Sequence, residues 1–280
     1  MSQDVFIAAG ARTPMGGLQG DLSSLTAVEL GEAAIRAVLA RANLEGGAVD
    51  EVIMGCVLPS GLRQGPARQA AIDAGIPVSV GATTINKLCG SGMKAAMLAF
   101  DQIKAGTNQI MVAGGMESMS RAPYLLPKAR TGLRMGHGEL QDAMFTDGLE
   151  DAKTGRLMGA FAQDVADQFQ VTREDMDDYA IKSLQKALAA IENDALTDEI
   201  VPVEISTRAG KVVISIDEQP GKANLDKIKT LKPAFKTDGT VTAANSSSIS
   251  DGASALVLAS SDAVRSNGLK PLAKILGHST

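Results

Sequence analysis

The stretch TTINKLCGSGMKAAMLAFDQIKAGTNQIMVAGG, residues 83–115, decides the architecture. Its β-branched opening, TTIN at 83–86, reads as a short strand that runs into a glycine-rich turn. SGMKAAMLAFDQIKAG at 91–106 follows, with Met93, Ala96, Met97, Phe100 and Ile103 at spacings of three and four, the pattern of an amphipathic helix. QIMVAGG at 109–115 is then a continuous apolar strand. Strand, helix and strand in such short order form a crossover unit, and crossovers join parallel strands. Upstream the alternation repeats. VFIAAG at 5–10 and EVIMGCV at 51–57 read as buried strands. Between them AVELGEAAIRAVLARA, which follows Thr26 and ends at Ala42, places Val28, Ala34, Ile35, Val38 and Leu39 on overlapping helical faces. Glu29 and Glu32 lie near its start and Arg41 near its end, as the helix dipole favours. PARQAAIDAG at 66–75 is a shorter helix stopped by Gly75. The chain is therefore expected to be α/β, built on parallel strands joined by helices.

Composition agrees with tightly packed layers. Of the 280 residues 45% are hydrophobic and only 3% aromatic, so the core must come from Ala, Val, Ile, Leu and Met. That profile excludes whole-chain disorder. A formal net charge of -5 lacks the basic footprint that neutralises phosphates, and no nucleic-acid partner is expected. The opening MSQDVFIAAGARTP carries Asp4 and no basic segment before its apolar run, and no apolar run approaches the roughly 18 residues of a membrane span. A soluble, cytoplasmic protein without a membrane partner is expected. Two cysteines, Cys56 and Cys89, make no disulfide framework, and with His137 and His278 they match no metal-ligand spacing. No G-x-G-x-x-G opens a helix after a strand, so dinucleotide binding has no support.

Beyond Glu117 the regular alternation stops, and residues 117–160 read as an inserted segment. Arg121, Lys128, Arg130 and Arg134 fall there with no acid between Ser118 and Gly138. Such a stretch fits a solvated loop as well as a self-association or phosphate-facing surface. Helical patterns return at 159–169 and 172–196, the second with Thr172 and Asp175 as a capping signal. EIVPVEI and KVVISI read as paired short strands. The charged region 217–239, with Pro220 and Pro233, reads as loop with room for one helical turn. ASALVLAS at 253–260 returns to the apolar style of the first strands, and SDAVRSNG reads as a short helix. PLAKILGHS reads as a strand beginning where the sequence stops, which gives the expectation of a scaffold split by an insertion and then cut.

Cys89 carries the chemistry. A cysteine between a short strand and a helix meets free backbone N–H groups and the positive end of the helix dipole, which favour the reactive thiolate. Gly90 and Gly92 would ease a sharp turn and let a substrate approach the backbone. The same position also suits a buried small hydrophobe, the commoner fate of a free cysteine. Cys56, inside its strand, reads as core. A nucleophilic cysteine needs a base, yet His137 and His278 have no spacing or neighbour that marks one, and both read as surface residues.

Three long motifs, INKLCGSGMKA around Cys89, VAGGMESMSRAP at 112–123 and PAFKTDGTVTAANSSSISDGASA at 233–255, resemble the thiolase family. The likeness spans the chain. Ala11–Pro14 and GPARQAA at 65–71 bring it nearest to the biosynthetic-type acetyl-CoA acetyltransferase branch. The resemblance implies a layered fold of two similar α/β halves, each a mixed, largely parallel sheet with helices on both faces. Residues 1–118 and 250–268 would form the first half, 119–249 an inserted loop domain that holds coenzyme A, and 269–280 the first strand of a second half otherwise absent.

By the same resemblance Cys89 is the nucleophile that accepts an acyl group, its own N–H contributing to an oxyanion hole. Ser247 would meet the pantetheine arm, Ala243 and Phe235 would line the same tunnel, and Leu149 and Met158 would line the pocket. Large apolar residues fill cores more often than pockets, so Phe235 and Met158 also fit as ordinary core. Leu157 stands where many relatives have histidine, which replaces a polar contact by an apolar one. Lys222, Lys227 and Lys229 lie in the segment that meets nucleotide phosphates, without a residue-by-residue match.

The implied reaction is fatty-acid chemistry: condensation of two acetyl-CoA to acetoacetyl-CoA, or thiolysis of a 3-ketoacyl-CoA, with acyl-CoA as substrate and no permanent cofactor. Family members supply an activating histidine and a second cysteine from Asn-Glu-Ala-Phe, Gly-His-Pro and Cys-x-Gly-Gly segments, none of which occurs here. These 280 residues alone are thus expected to be catalytically inactive. A non-catalytic acyl-CoA-binding or interaction module is the alternative, and a ketoacyl synthase-like condensing enzyme a weaker one. A homodimer or homotetramer is implied, with TTIN resembling the strand that pairs across the dimer. A first half without its second would expose an apolar face and self-associate.

Overall fold

A computed structural model describes residues 4–280. The reading of the opening segment as lacking a leader rests in part on residues 1–3, which lie outside the described residues. In chain order the strands are β1 (Val5–Arg12), β2 (Gly16–Gly17), β3 (Glu51–Gly55), β4 (Gly81–Ile85), β5 (Ile110–Ser118), β6 (Tyr124–Leu125), β7 (Gln141–Asp142), β8 (Val203–Thr207), β9 (Gly210–Ile214), β10 (Ser250–Ser260) and β11 (Ala273–Ile275). The helices are α1 (Ala27–Ala42), α2 (Pro66–Asp73), α3 (Ser91–Ala105), α4 (Met158–Gln168), α5 (Arg173–Glu192), α6 (Glu218–Lys222), α7 (Leu225–Ile228) and α8 (Ser261–Ser266).

The main sheet is mixed, in the order β11-β1-β10-β5-β3-β4, with β2 paired to β10. β3 pairs parallel with β4 and β5, as the crossover pattern requires. β10 runs antiparallel to both of its neighbours, β1 and β5, so the long strands of the first 118 residues all point one way. β11, the expected opening of a second half, adds antiparallel to β1 at the edge of this same sheet.

Helices cover both faces. α1 and α2 bury Leu30, Ile35, Val38 and Ala67 against Val52, Val112 and Val257 on one side. α3 buries Ala95, Ala99, Phe100 and Ile103 against Ile53, Met111 and Leu258 on the other. α1 begins at a complete capping box: Glu29 N–H donates to the Thr26 hydroxyl at 3.2 Å, and Thr26 N–H to the Glu29 carboxylate at 2.7 Å. Asn43, at φ 50°, closes it in the left-handed conformation.

The face of α3 differs from the expected one. Met93 is 69% exposed. The buried positions 91, 95, 99 and 103 follow a spacing of four, and Met93 stands about 200° round the helix from Ser91. Small residues on that buried stripe let the helix lie close to the sheet. Region 217–239 also holds more helix than expected, α6 and α7. Pro220 sits in the first turn of α6, where its missing N–H costs nothing, and the Asn224 side chain caps α7 by accepting from the N–H groups of Asp226 and Lys227.

Residues between β5 and β10 build separate pieces, the hairpin β8–β9, the small pair β6–β7, and helices α4 to α7. Charged groups tie them to the sheet. Arg12 grips Asp217 through two bonds of 2.7 and 3.0 Å and reaches Glu199 at 2.6 Å. Glu218 accepts the N–H groups of Gly17 and Asp21 at 2.9 and 2.8 Å and pairs with Lys222. Burial opposes the Glu218 carboxylate, but Lys222 and the two N–H donors outweigh it and hold its pKa below the usual range.

Candidate active site

Cys89 lies in the turn between β4 and α3, beyond the C-terminal ends of the parallel strands, where open α/β sheets place their ligands. Local bonds shape that turn. Ser91 Oγ accepts the Lys87 N–H at 2.8 Å and donates to the Leu88 carbonyl at 2.5 Å. Leu88 adopts φ 49°, a conformation uncommon for a leucine, and Asn86 Oδ1 accepts its N–H at 2.9 Å. The Asn86 amide also donates to the Val57 carbonyl at 3.3 Å, so the turn is fastened to the end of β3. Gly55 makes this closeness possible. A side chain there would begin 2.5 Å from Ser91 Cβ and 2.7 Å from the Gly92 nitrogen.

The two cysteines have opposite surroundings. Cys89 is exposed and Cys56 buried. Burial, and then the nearby charge of Glu117, push the Cys56 thiol up to about 12, so it stays protonated. Glu117 accepts the N–H groups of Val57 and Leu58 at 2.8 and 3.0 Å and the Cys56 thiol at 3.6 Å. Its own burial still raises its pKa above the ordinary carboxylate value, against those donors. Glu117 was not singled out from the sequence, although it sits inside the motif VAGGMESMS. Cys89 is therefore the solvent-accessible thiol and Cys56 a core residue.

Leu149, Met158 and Phe235 come together near one bridge. Leu149 ends a π-helical turn, and its neighbour Glu150 pairs with Leu157 immediately before α4. Phe235 lies across Gly159, where a Cβ would fall 2.1 Å from the ring. Met158 is 45% exposed, so it is not core. Ala243 and Ser247 form a second group. Both line an open cavity of about 1090 Å³, walled also by Met176, Tyr179, Leu184 and Leu231. The turn around Cys89 bonds to neither group among the described residues.

The three lysines of the 222–229 segment separate. Lys222 pairs with Glu218 and Asp21, and Lys229 with Asp178, while Lys227 lines the cavity. Neither histidine is near Cys89 by any hydrogen bond. His278 pairs with Asp101 at 2.8 Å and meets the Phe100 ring edge-on, and His137 is exposed on the loop before β7. Among the described residues no cluster of three His, Cys, Asp or Glu could hold a metal, and no helix is long and apolar enough to cross a membrane. The sequence also did not single out Gln163 and Asp177, buried polar residues that do not line the cavity, or Asn245, which does line it.

Comparison with known proteins bears on this arrangement. Residues 5–262 match the model of the thiolase N-terminal domain. The chain is 52% identical over 279 residues to acetyl-CoA acetyltransferase 2 of Arabidopsis thaliana, covering 99% of this chain and 69% of that protein. It is 48% identical over 281 residues to the acetyl-CoA acetyltransferase of Escherichia coli, covering 99% and 71%. Among solved structures, an acetyl-CoA acetyltransferase from Syntrophomonas wolfei superposes with a TM-score of 0.95 at 40% identity, covering 99% of this chain and 70% of that one. A thiolase from Ascaris suum in complex with coenzyme A superposes with a TM-score of 0.92 at 41% identity, covering 98% and 70%.

Proposed function

The chain belongs to the thiolase family, and from that premise we propose that it is an acyltransferase acting through a Cys89 acyl-enzyme on acetyl-CoA or a 3-ketoacyl-CoA. The observation that carries this is the contrast between the cysteines: Cys89 is exposed at the head of α3, whereas Cys56 is buried and locked as a thiol. In the first half-reaction Cys89 sulfur adds to the thioester carbonyl, the tetrahedral intermediate collapses, and coenzyme A leaves with the proton that the thiol gave up. In the second, another acyl-CoA gives up an α-proton, its enolate attacks the acyl-cysteine carbonyl, and the released Cys89 thiolate takes up a proton, giving the 3-ketoacyl product. Thiolysis is the same path reversed.

Backbone N–H groups at the start of α3 would stabilise the oxyanion, as the free donors and dipole of a helix N-terminus favour negative charge. We assign the cavity with Ala243 and Ser247 to the pantetheine arm, and Leu149, Met158 and Phe235 to the acyl end. Lys227, the lysine of its segment that lines the cavity, suits the nucleotide phosphates. β4 ends the sheet with an alternating half-exposed pattern, which supports self-pairing in a homodimer or homotetramer.

Among the described residues neither histidine hydrogen-bonds Cys89, and these 280 residues alone are expected not to turn over, so acylation is the step to examine first. Mixing the protein with acetyl-CoA, quenching in acid and mapping peptides by mass should give one acetyl group on the Cys89 peptide and none in Cys89→Ala. Acetylation elsewhere would refute the assignment. Tight coenzyme A binding without any acetyl transfer would favour a non-catalytic acyl-CoA-binding module.

A further inference from the structure

Residues 239–248 present Ala243 and Ser247 to the cavity, yet they contain no helix or strand, so other parts of the molecule must fix their shape. Two buried side chains behind the wall do this. Gln163, on α4, is 2% exposed, and each end of its amide is used. Its Oε1 accepts the N–H of Thr240 at 2.8 Å and of Val241 at 3.0 Å. Its Nε2 donates to Asp167 at 2.8 Å and to the Thr240 hydroxyl at 3.1 Å.

Asp177, on α5, is likewise 2% exposed. One carboxylate oxygen accepts Arg173 Nε at 2.7 Å, and the other accepts Asn245 Nδ2 at 3.0 Å. Asn245 in turn donates to the Thr240 carbonyl at 3.1 Å and accepts the Thr242 N–H at 2.7 Å. Arg173 donates to the carbonyls of Ile228 and Leu231, at 3.2 and 2.9 Å, and both of those residues line the cavity. The Arg173–Asp177 pair thus reaches two walls of the cavity. Neither Gln163 nor Asp177 lines it.

We propose that Gln163 and Asp177 are positioning residues, a buried clamp that shapes the loop carrying Ala243 and Ser247 and so sets affinity for coenzyme A without touching it. The inference rests on the assignment of this cavity to coenzyme A. A buried network whose donors and acceptors are all satisfied holds one geometry, and removing one partner leaves the others unpaired in a dry setting. The helix backbones of α4 and α5 do not depend on these side-chain bonds, so the loop is the part that loosens.

The test combines coenzyme A titration calorimetry with amide hydrogen exchange on the full chain. In Gln163→Leu, affinity should fall about tenfold or more, and exchange at 240–245 should quicken while α4 and α5 keep their protection. Gln163→Glu combined with Asp167→Asn keeps an acceptor for both N–H groups and returns a donor between the two side chains, and this double variant should bind within about threefold of the parent. Asp177→Ala frees Asn245 and Arg173 and should loosen 240–245 and weaken binding in the same way, which serves if the leucine variant fails to fold. Parent-like affinity and exchange in both disrupted variants would overturn the clamp while leaving the cavity assignment standing. A Gln163→Glu/Asp167→Asn variant as impaired as Gln163→Leu would also overturn it, because the acceptor would then be irrelevant. A parent protein that does not bind coenzyme A would instead bring down the cavity assignment, and the clamp's role in affinity with it.

Discussion

Two thiols a few residues from parallel strand ends differ because one is dry and faces a carboxylate, while the other is open to solvent. Cys56 has a consequence for stability. Its folded pKa is raised to about 12 from an ordinary value of 9.0, so above about pH 9 the unfolded chain ionises while the folded chain cannot. Its contribution is therefore intact below about pH 9 and lost as pH rises towards 12, a loss on the order of 4 kcal/mol at the top of that window. Urea midpoints measured across the window should decline, and Cys56→Ala should flatten the decline. An unchanged slope in that variant would put the alkaline sensitivity elsewhere. At this scale the sequence revealed much. A strand followed by a glycine-rich helix start placed Cys89 in the turn where it lies, and an apolar run placed Cys56 in the core. Gln163 and Glu117 stayed hidden, because a polar residue within a periodic segment looks like a solvent-facing position until the strand or loop packed over it is known.

Elements with strong local signals formed where expected, and those decided by packing did not. α1 was legible from its apolar stripe and its cap. The exposed side of α3 was misjudged, since Met93 fits the apolar period but the sheet accepts the face of Ala95 and Ala99 instead. One helical turn was expected where both α6 and α7 form, because proline and charge mask a short helix that carries its proline in the first turn. The contact between β3 and α3 yields a prediction. Gly55→Ala would place a methyl group 2.5 Å from Ser91 Cβ, and Ser91 holds the Cys89 turn through Lys87 and Leu88. The substitution should cost about 1–3 kcal/mol of stability and slow alkylation of Cys89, because overpacking is relieved by moving the helix start. Thermal unfolding and timed labelling with iodoacetamide check both. A variant that loses stability but labels Cys89 at the parent rate would separate the turn's shape from this contact.

At the scale of the molecule, the order of the sheet could not be read locally, because β10 enters from far along the chain to lie between β1 and β5. The likeness of motifs supplied the layered arrangement, and periodicity supplied the parallel trio of β3, β4 and β5. Arg12 joins the sheet to the segment inserted after β5, through Asp217 and Glu199. Arg12→Ala should destabilise the fold by about 2 kcal/mol, mostly through the partly buried Asp217 pair, since the more exposed Glu199 adds little. Chemical denaturation of the variant measures this, and a change under about 0.5 kcal/mol would mean that the anchor lies elsewhere.

If the exposed Cys89 at the end of the sheet and the cavity between β5 and β10 work as one site, bound coenzyme A must shield the thiol, and the rate of Cys89 alkylation with and without coenzyme A tests that union. Peptide-resolved labelling should show Cys89 modified and Cys56 spared, with saturating coenzyme A slowing modification of Cys89 at least severalfold. Coenzyme A that binds tightly yet leaves the Cys89 rate unchanged would contradict it.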